Sequence, residues 1–402
     1  MARSPAVSFV LACVFLDALG IGLIIPVLPR LIGTLAPSAD MQATWYGAIM
    51  VSYGLMQFFS APAIGALSDR IGRRPVLLTG ILGLAIMMLV PAFSQSLTLI
   101  LLSRILGGAM SSNIVVAQAY IADVTAIEQR TAAFGRIGAI FGIAFILGPA
   151  LGGMLGETDP RLPFLVAGII CGLNFLYGFF VLPESLTSPA TEPFTLRRSN
   201  PFSSLSALSR EKLVLPILLI ITLCTLSQSL MQCTWALYTE FRYGWTPKTI
   251  GFSIFVLGAA ITVTQGWILP RLSRALDPQP LVLLGLTAGA AALIGIGLST
   301  TGEALLALVA LFSIMGVVGP TLQSIISRTG SPTTQGVRLG AASSLNSFTG
   351  AVSPVLGTPL LFFTSKSAPG DLAAGVPYFL GALLVIIAIA VTLARPLPGK
   401  NS

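Results

Sequence analysis

The sequence predicts an all-α integral membrane protein of twelve transmembrane helices in two six-helix repeats. Three observations carry that expectation: the weight of apolar residues, their division into runs of one length, and a register in which the second half repeats the first. Of 402 residues, 54% are hydrophobic and 9% charged, against about 25% charged in ordinary soluble domains. Such a chain cannot clothe itself in water.

A helix crossing a hydrocarbon layer about 30 Å thick needs about 20 apolar residues, and the chain supplies runs of that size in order. The first, residues 6–28, is too long for the h-region of a signal peptide and lacks a small-residue cleavage site, so it reads as a retained span. Residues 43–65, 75–94, 97–121, 135–156 and 163–182 complete an N-terminal half, 1–182. Residues 183–212 contain PESLTSPATEP and RRSNPFSSLSALSREK, rich in Ser, Thr and Pro, and read as a cytoplasmic linker. The C-terminal half, 213–402, follows with runs at 213–238, 250–269, 280–299, 304–326, 338–363 and 377–394.

Charge orients the spans, because cytoplasmic loops retain Lys and Arg. With both termini inside, sixteen basic residues fall inside and five outside (Arg30, Arg161, Arg242, Lys248 and Lys366), and Arg104 lies within the fourth span, accounting for all 22. Displacing the chain by 205 residues superposes Pro75 on Pro280, Gly80 on Gly285, Gln118 on Gln323, Gly135 on Gly340, Pro149 on Pro354 and Gly152 on Gly357. Parallel repeats of this kind place a substrate site between the halves, which rock to give alternating access.

Several motifs carry a family resemblance. The stretch GALSDRIGRRP, from Gly65 to Pro75, resembles the signature between the second and third helices of the major facilitator superfamily. The run GIAFILGPALGG, Gly142 to Gly153, resembles the fifth-helix signature of its drug/proton antiporters. LDALGIGLIIPVLPRL (Leu16 to Leu31) and WALYTEFRYGW (Trp235 to Trp245) are similar to bacterial tetracycline/proton antiporters. The resemblance implies the major facilitator fold, residence in a bacterial cytoplasmic membrane, and efflux of an amphipathic drug.

The loop has its own physical reading. Gly65 permits close helix approach, Asp69 sits at a helix end where it can meet an arginine, and Arg70, Arg73 and Arg74 anchor the cytoplasmic face. Asp123, at the end of the fourth span, is the expected partner for one of these arginines. A plain topology anchor satisfies the same residues; the resemblance implies a cytoplasmic gate.

Asp17 is the one acid deep in a span, where an ionised carboxylate costs roughly 2.5 to 3.5 kcal/mol. With no His in the chain, a proton must ride on a carboxylate, and Asp17 is the expected carrier, the alternative being a structural acid bonded to a neighbouring helix. Arg104, in SRILGGAMSSNIVVAQAYIAD, resembles the superfamily's fourth-helix arginine, which implies a part in proton exchange; a structural hydrogen-bond net is the other reading. Gly148, Pro149, Gly152 and Pro354 suit either a kink or close packing, since proline removes a backbone donor and bends a helix.

Departures from the family pattern shape the substrate expectation. Tetracycline antiporters carry acids in the third and ninth helices and a histidine in the eighth, whereas this chain has LGLAIMMLV, LTAGAAALIG and AAITVTQG. Recognition then rests on uncharged groups, for which Gln57, Asn113, Gln118, Gln228, Gln232 and Asn346 are the candidates, or the substrate differs.

Other function classes find no foothold. The +8 charge is dispersed over short loops rather than gathered on one face, which argues against a nucleic-acid partner. Cys13, Cys171, Cys224 and Cys233 lie in apolar runs without ligand spacing, so neither metal nor disulfide is expected. No GxxxxGK[ST] loop calls for ATP, and no cluster of nucleophiles and acids marks an enzyme. The expectation is a proton-coupled antiporter without cofactor, partnered by a small molecule, protons and lipid, and monomeric.

Overall fold

The structure, a computed structural model, describes residues 4–111, 113–125, 130–186, 214–328, 345, 348–366 and 371–398. The linker expected at 183–212 lies outside them beyond residue 186. Among the described residues there are helices and no strands. Among these residues eleven helices are long and apolar enough to cross a membrane, and a helix pair bent by 45°, Val10–Ile24 with Leu28–Leu35, makes a twelfth when taken as one span.

That bend divides the run expected at 6–28. Pro26 has no N–H and disfavours helical geometry in the residue before it, so Ile25 and Val27 fall back on short bonds to the carbonyls of Gly22 and Ile24, at 3.3 and 3.1 Å. The second span runs the other way and outgrows its expected length. It begins at Ser38, whose Oγ accepts from the Met41 amide at 3.3 Å, and continues as Ala39–Ile71. Asp69 and Arg70, expected in a loop, are therefore helical. The break before Arg73–Phe93 is a single residue, Gly72, at φ 107.

Three other spans are interrupted, two of them where a proline explains it. The fourth comprises Leu97–Met110 and Asn113–Val124. The eighth passes from Pro247–Val263 through a π-helical turn, Thr264–Ile268, into Leu269–Ala275; Pro270 removes the amide that would bond the carbonyl of Gly266. The tenth, Gly302–Phe312, tightens into a 3₁₀ turn, Ser313–Val317, before Val318–Arg328, and Pro320 likewise withholds its bond from Gly316.

The chain forms two compact units: Met1–Asn200 with Trp245–Phe255, and Pro201–Gly244 with Val256–Ser402. The start of the eighth span thus belongs with the first six. Each unit is assembled by glycines that admit a neighbouring helix, and the assembly repeats in the register of the sequence. A Cβ on Gly80 would run into Asn113 in the first unit; one on Gly285 would meet Val318 in the second, and both pairs are related by the same 205 residues. Gly152 lies against the Leu23 backbone and Gly357 against Leu230, Cys233 and Thr234, so the fifth-on-first contact recurs as the eleventh on the seventh.

Large apolar side chains face outward, among them Phe180 at 80%, Phe93 at 71% and Phe59 at 67% exposure. Soluble monomers rarely display so much apolar surface; hydrocarbon contact accounts for it.

Candidate functional site

The first unit places Asp17 half-buried on the first span. Asn174, fully buried on the sixth span, donates through Nδ2 to Asp17 Oδ1 at 3.2 Å and to the Cys13 carbonyl at 3.3 Å. The carbonyl fixes the amide, because reversing it would set oxygen against oxygen. Asp17 therefore faces a nitrogen donor from a neighbouring helix. Asn113, from the broken fourth span, also acts on Asp17, while its Nδ2 has no hydrogen-bond partner. Tyr53 of the second span stands within electrostatic reach of Asp17 and Arg104, and its buried hydroxyl is likewise unpaired.

Arg104 is 6% exposed and has no carboxylate partner among the described residues. Its guanidinium lies 5.5 Å from the centre of the Phe164 ring, Nη2 is 3.5 Å from Met88 Sδ, and Nε has no acceptor. A cation over an aromatic face gains about 2 kcal/mol when desolvated, less than a buried ion pair's partner would supply. Asp17 and Arg104 are thus neighbours through Tyr53 rather than an ion pair. Tyr53, Arg104, Asn113 and Asn174 each keep a buried polar atom without a hydrogen-bond partner among the described residues.

At one end of the same unit, Arg73 gathers the second, third and fourth spans. It is 8% exposed; Nη2 pairs with Asp69 Oδ1 at 2.6 Å, Nε with Asp123 Oδ2 at 3.1 Å, and Nη1 donates to Ser68 Oγ at 2.6 Å. Ser68 in turn donates to the Gly65 carbonyl at 2.7 Å. Each guanidinium nitrogen has an acceptor, which is the condition for burying it. The other two arginines diverge. Arg74 reaches the Phe179 carbonyl at 2.7 Å on the sixth span, and Arg70 is exposed.

Glu184, which sequence reasoning passed over, completes this cluster. Its Oε1 and Oε2 accept from the amides of Arg73 and Arg74 at 2.9 and 3.1 Å, and Oε1 also from Ser185 and Leu186. A carboxylate at the N-terminus of the third span meets the unbonded amides and the positive end of the helix dipole. Gly72 makes room for it, since any side chain there would strike Glu184 as well as require a positive φ. Ser185 Oγ donates to Asp123 Oδ2 at 3.1 Å, closing the circuit.

The fifth span presents its glycines in a row. Gly148 packs on the Gly22 backbone and Gly152 on Leu23, while Gly153 meets the backbone of Pro247 and Gly251 that of Pro149. Close packing accounts for these residues, and Gly142 faces open space. Pro354 is buried in the eleventh span, where its carbonyl accepts from Thr358 Oγ1 at 2.6 Å.

In the second unit, a cavity of about 150 Å³ opens among the seventh, eighth and tenth spans, with Thr225, Gln228, Gln265 and Ser313 in its wall. Of the six polar candidates for substrate contact, Gln228 lines this cavity and Asn113 joins the Asp17 cluster. Gln57 is half-buried, Gln118 and Gln232 are exposed, and Asn346 lies outside the described residues. Asn174, Tyr53, Gln265 and Glu184 are the additions. A lone amide in GIICGLNFLYGFF was the available signal for Asn174; nothing in the sequence distinguished Gln265 from a lipid-facing residue.

Known proteins resemble this chain along most of its length. A tetracycline resistance protein of class D from Salmonella ordonez is 34% identical over 398 residues, 98% of each chain. The class B protein of Escherichia coli is 35% identical over 350 residues, 86% of each. Among solved structures, the human organic anion transporter MFSD10 superposes with a TM-score of 0.70 over 96% of this chain and 99% of its own, at 24% identity, which speaks for the fold. The family model described as Major Facilitator Superfamily matches residues 10–358. Twelve spans, a doubled six-helix register and that match across most of the chain lead to one assignment: the protein belongs to the Major Facilitator Superfamily.

Proposed function

We propose that the protein is a proton-driven antiporter that exports a tetracycline-like amphipathic drug across a bacterial cytoplasmic membrane. The observation that carries this reading is the similarity to tetracycline resistance proteins along nearly the whole chain. The half-buried carboxylate of Asp17, bonded by Asn174 from the sixth span, supports it.

In this reading Asp17 loads and releases the proton. Asn174 holds the carboxylate in place with Asn113 beside it, and Arg104 supplies fixed positive charge to the same interior. A proton entering down about 150 mV yields roughly 3.5 kcal/mol, which sustains a gradient of about a few hundredfold for a neutral substrate. The Arg73 cluster acts as a cytoplasmic gate: with Asp69 and Asp123 both engaged, the second, third and fourth spans are locked at that end, and transport requires the lock to open. The termini are cytoplasmic, the six-helix halves are 1–182 and 213–402 with 183–212 as linker, and the chain works as a monomer without cofactor.

The test has two arms. In an efflux-deficient host, expression is expected to raise resistance to tetracycline within a drug panel. In reconstituted vesicles, addition of tetracycline is expected to drive proton movement. A host that gains no resistance, with vesicles in which the drug moves no protons, overturns the reading.

A further inference from the structure

The chain that leaves the sixth span is fastened to both helices that Arg73 joins to the second. Leu162–Val181 ends the span, and Pro183, Glu184, Ser185 and Leu186 follow without helix. The Pro183 carbonyl accepts from the Tyr120 hydroxyl of the fourth span at 2.9 Å, and Ser185, 9% exposed, donates from Oγ to Asp123 Oδ2 at 3.1 Å. Between them Glu184 gathers four backbone amides on one carboxylate: Arg73 at 2.9 Å, Arg74 at 3.1 Å, and its own followers Ser185 and Leu186 at 2.9 and 3.0 Å. Arg74 Nη2 returns to the sixth span at the Phe179 carbonyl, 2.7 Å away. Glu184 is itself exposed, so its hold comes from the number of amides it accepts rather than from burial.

Arg73 depends on a fixed backbone. Its guanidinium meets Asp69, Asp123 and Ser68 together, yet it extends from the first residue of the third span, directly after the one-residue break at Gly72. The first amides of a helix have no partner within it, and Gly72 has no side chain with which to cap them. Glu184 supplies the acceptors through charge-assisted bonds at the positive end of the helix dipole. One of these bonds goes to the amide of Arg73 itself, the residue whose side chain must be aimed. Glu184 forms no ion pair with an arginine among the described residues. It therefore sets the backbone of Arg73 and leaves the guanidinium to the two aspartates.

We propose that Glu184 is a positioning residue of the cytoplasmic gate: by bonding the Arg73 and Arg74 amides it fixes the backbone from which Arg73 ties the second span to the fourth, which makes the start of the linker a part of the gate. The inference rests on the gate reading for its effect on transport, though not for the coupling of Glu184 to Arg73. A plain helix cap would steady the first turn of the third span and nothing else.

The experiment compares purified full-length protein with Glu184→Ala and Glu184→Gln in lipid nanodiscs by amide hydrogen exchange. Glu184→Ala is expected to speed exchange about tenfold at the start of the third span, 73–77, and also at the two ends that Arg73 holds, 66–71 and 120–124. Residues 97–104, at the other end of the fourth span, are expected to exchange as in the wild type. Glu184→Gln keeps one carbonyl acceptor at the same reach and is expected to fall between. In inverted vesicles, Vmax for tetracycline is expected to drop about fivefold in Glu184→Ala with KM unchanged. That loss is expected to shrink below about twofold in an Asp123→Asn background, where the tie that Glu184 sets is already cut. Should Glu184→Ala fail to insert, Glu184→Gln carries the same comparisons. Exchange unchanged at 66–71 and 120–124, a wild-type Vmax in a protein that exports tetracycline, or an equal loss in both backgrounds overturns the proposal. Faster exchange at both span ends, in a protein that moves no tetracycline, upholds the coupling of Glu184 to Arg73 and removes the proposed function alone.

Discussion

Arg73 Nε lies 3.1 Å from Asp123 Oδ2, and through this bond the start of the third span is tied to the end of the fourth. The same guanidinium holds Asp69 from the second span at 2.6 Å. Because Arg73 is almost fully buried while Asp69 is about half exposed, the contact with Asp123 is the better shielded of the two ion pairs. Removing either acid leaves the cation with one carboxylate, and removing both leaves it only the Ser68 hydroxyl.

Asp69→Asn and Asp123→Asn are each expected to slow transport about tenfold or more in well-inserted protein, with a coupling energy to Arg73→Ala of about 0.5 to 3 kcal/mol. Initial rates of drug uptake into inverted vesicles, across the four corners of each double-mutant cycle, measure it. Wild-type turnover in both single variants would reduce the cluster to a topology anchor.

Asp17→Asn is expected to abolish accumulation against a gradient while leaving substrate binding and passive equilibration in place, since neutralisation mimics the protonated form. Proton flux in reconstituted vesicles is the readout. Undiminished drug-driven flux in the variant would place the carrier elsewhere, with Asp123 the next acid along the bundle.

If Asp17 carries the proton, Asn174 serves it through the 3.2 Å bond to the carboxylate, beside its bond to the Cys13 carbonyl. Asn174→Leu is expected to reduce coupled transport about tenfold in the wild-type background and to add nothing to Asp17→Asn. A further loss in the double variant would show that Asn174 serves packing rather than the proton site.

The glycine row of the fifth span makes a stability prediction with an internal control. A side chain at Gly152 would enter the Leu23 backbone, whereas Gly142 faces open space. Gly152→Leu is expected to cost about 3 kcal/mol or more, at the upper end of overpacking penalties, and Gly142→Leu close to nothing. Melting temperatures of the two purified variants decide it, and equal values would mean that the fifth span does not pack through Gly152.

Residues whose meaning depends on composition or period are legible in the amino-acid sequence by itself. Twelve spans follow from the length of apolar runs, because the bilayer imposes one thickness on every crossing. The 205-residue register follows from glycine and proline, whose backbone constraints leave a pattern, and Asp17 stands out because a carboxylate in hydrocarbon is costly wherever the helix points. Tertiary structure alone decided which partners these residues have. Three arginines in GRRP and its neighbourhood look alike in sequence, yet Arg73 alone collects Asp69, Asp123 and Ser68, because the helix break at Gly72 leaves one side chain aimed inward and Arg70 exposed. Arg104 and Asp17, opposite charges in neighbouring spans, do not pair, since Phe164 and Met88 hold the guanidinium instead. Glu184 carries no motif, and its role comes from the neighbours that chain folding brings to it, the two backbone amides at the start of the third span. Contacts between residues more than a hundred positions apart are set by how helices pack, and local sequence holds no record of that.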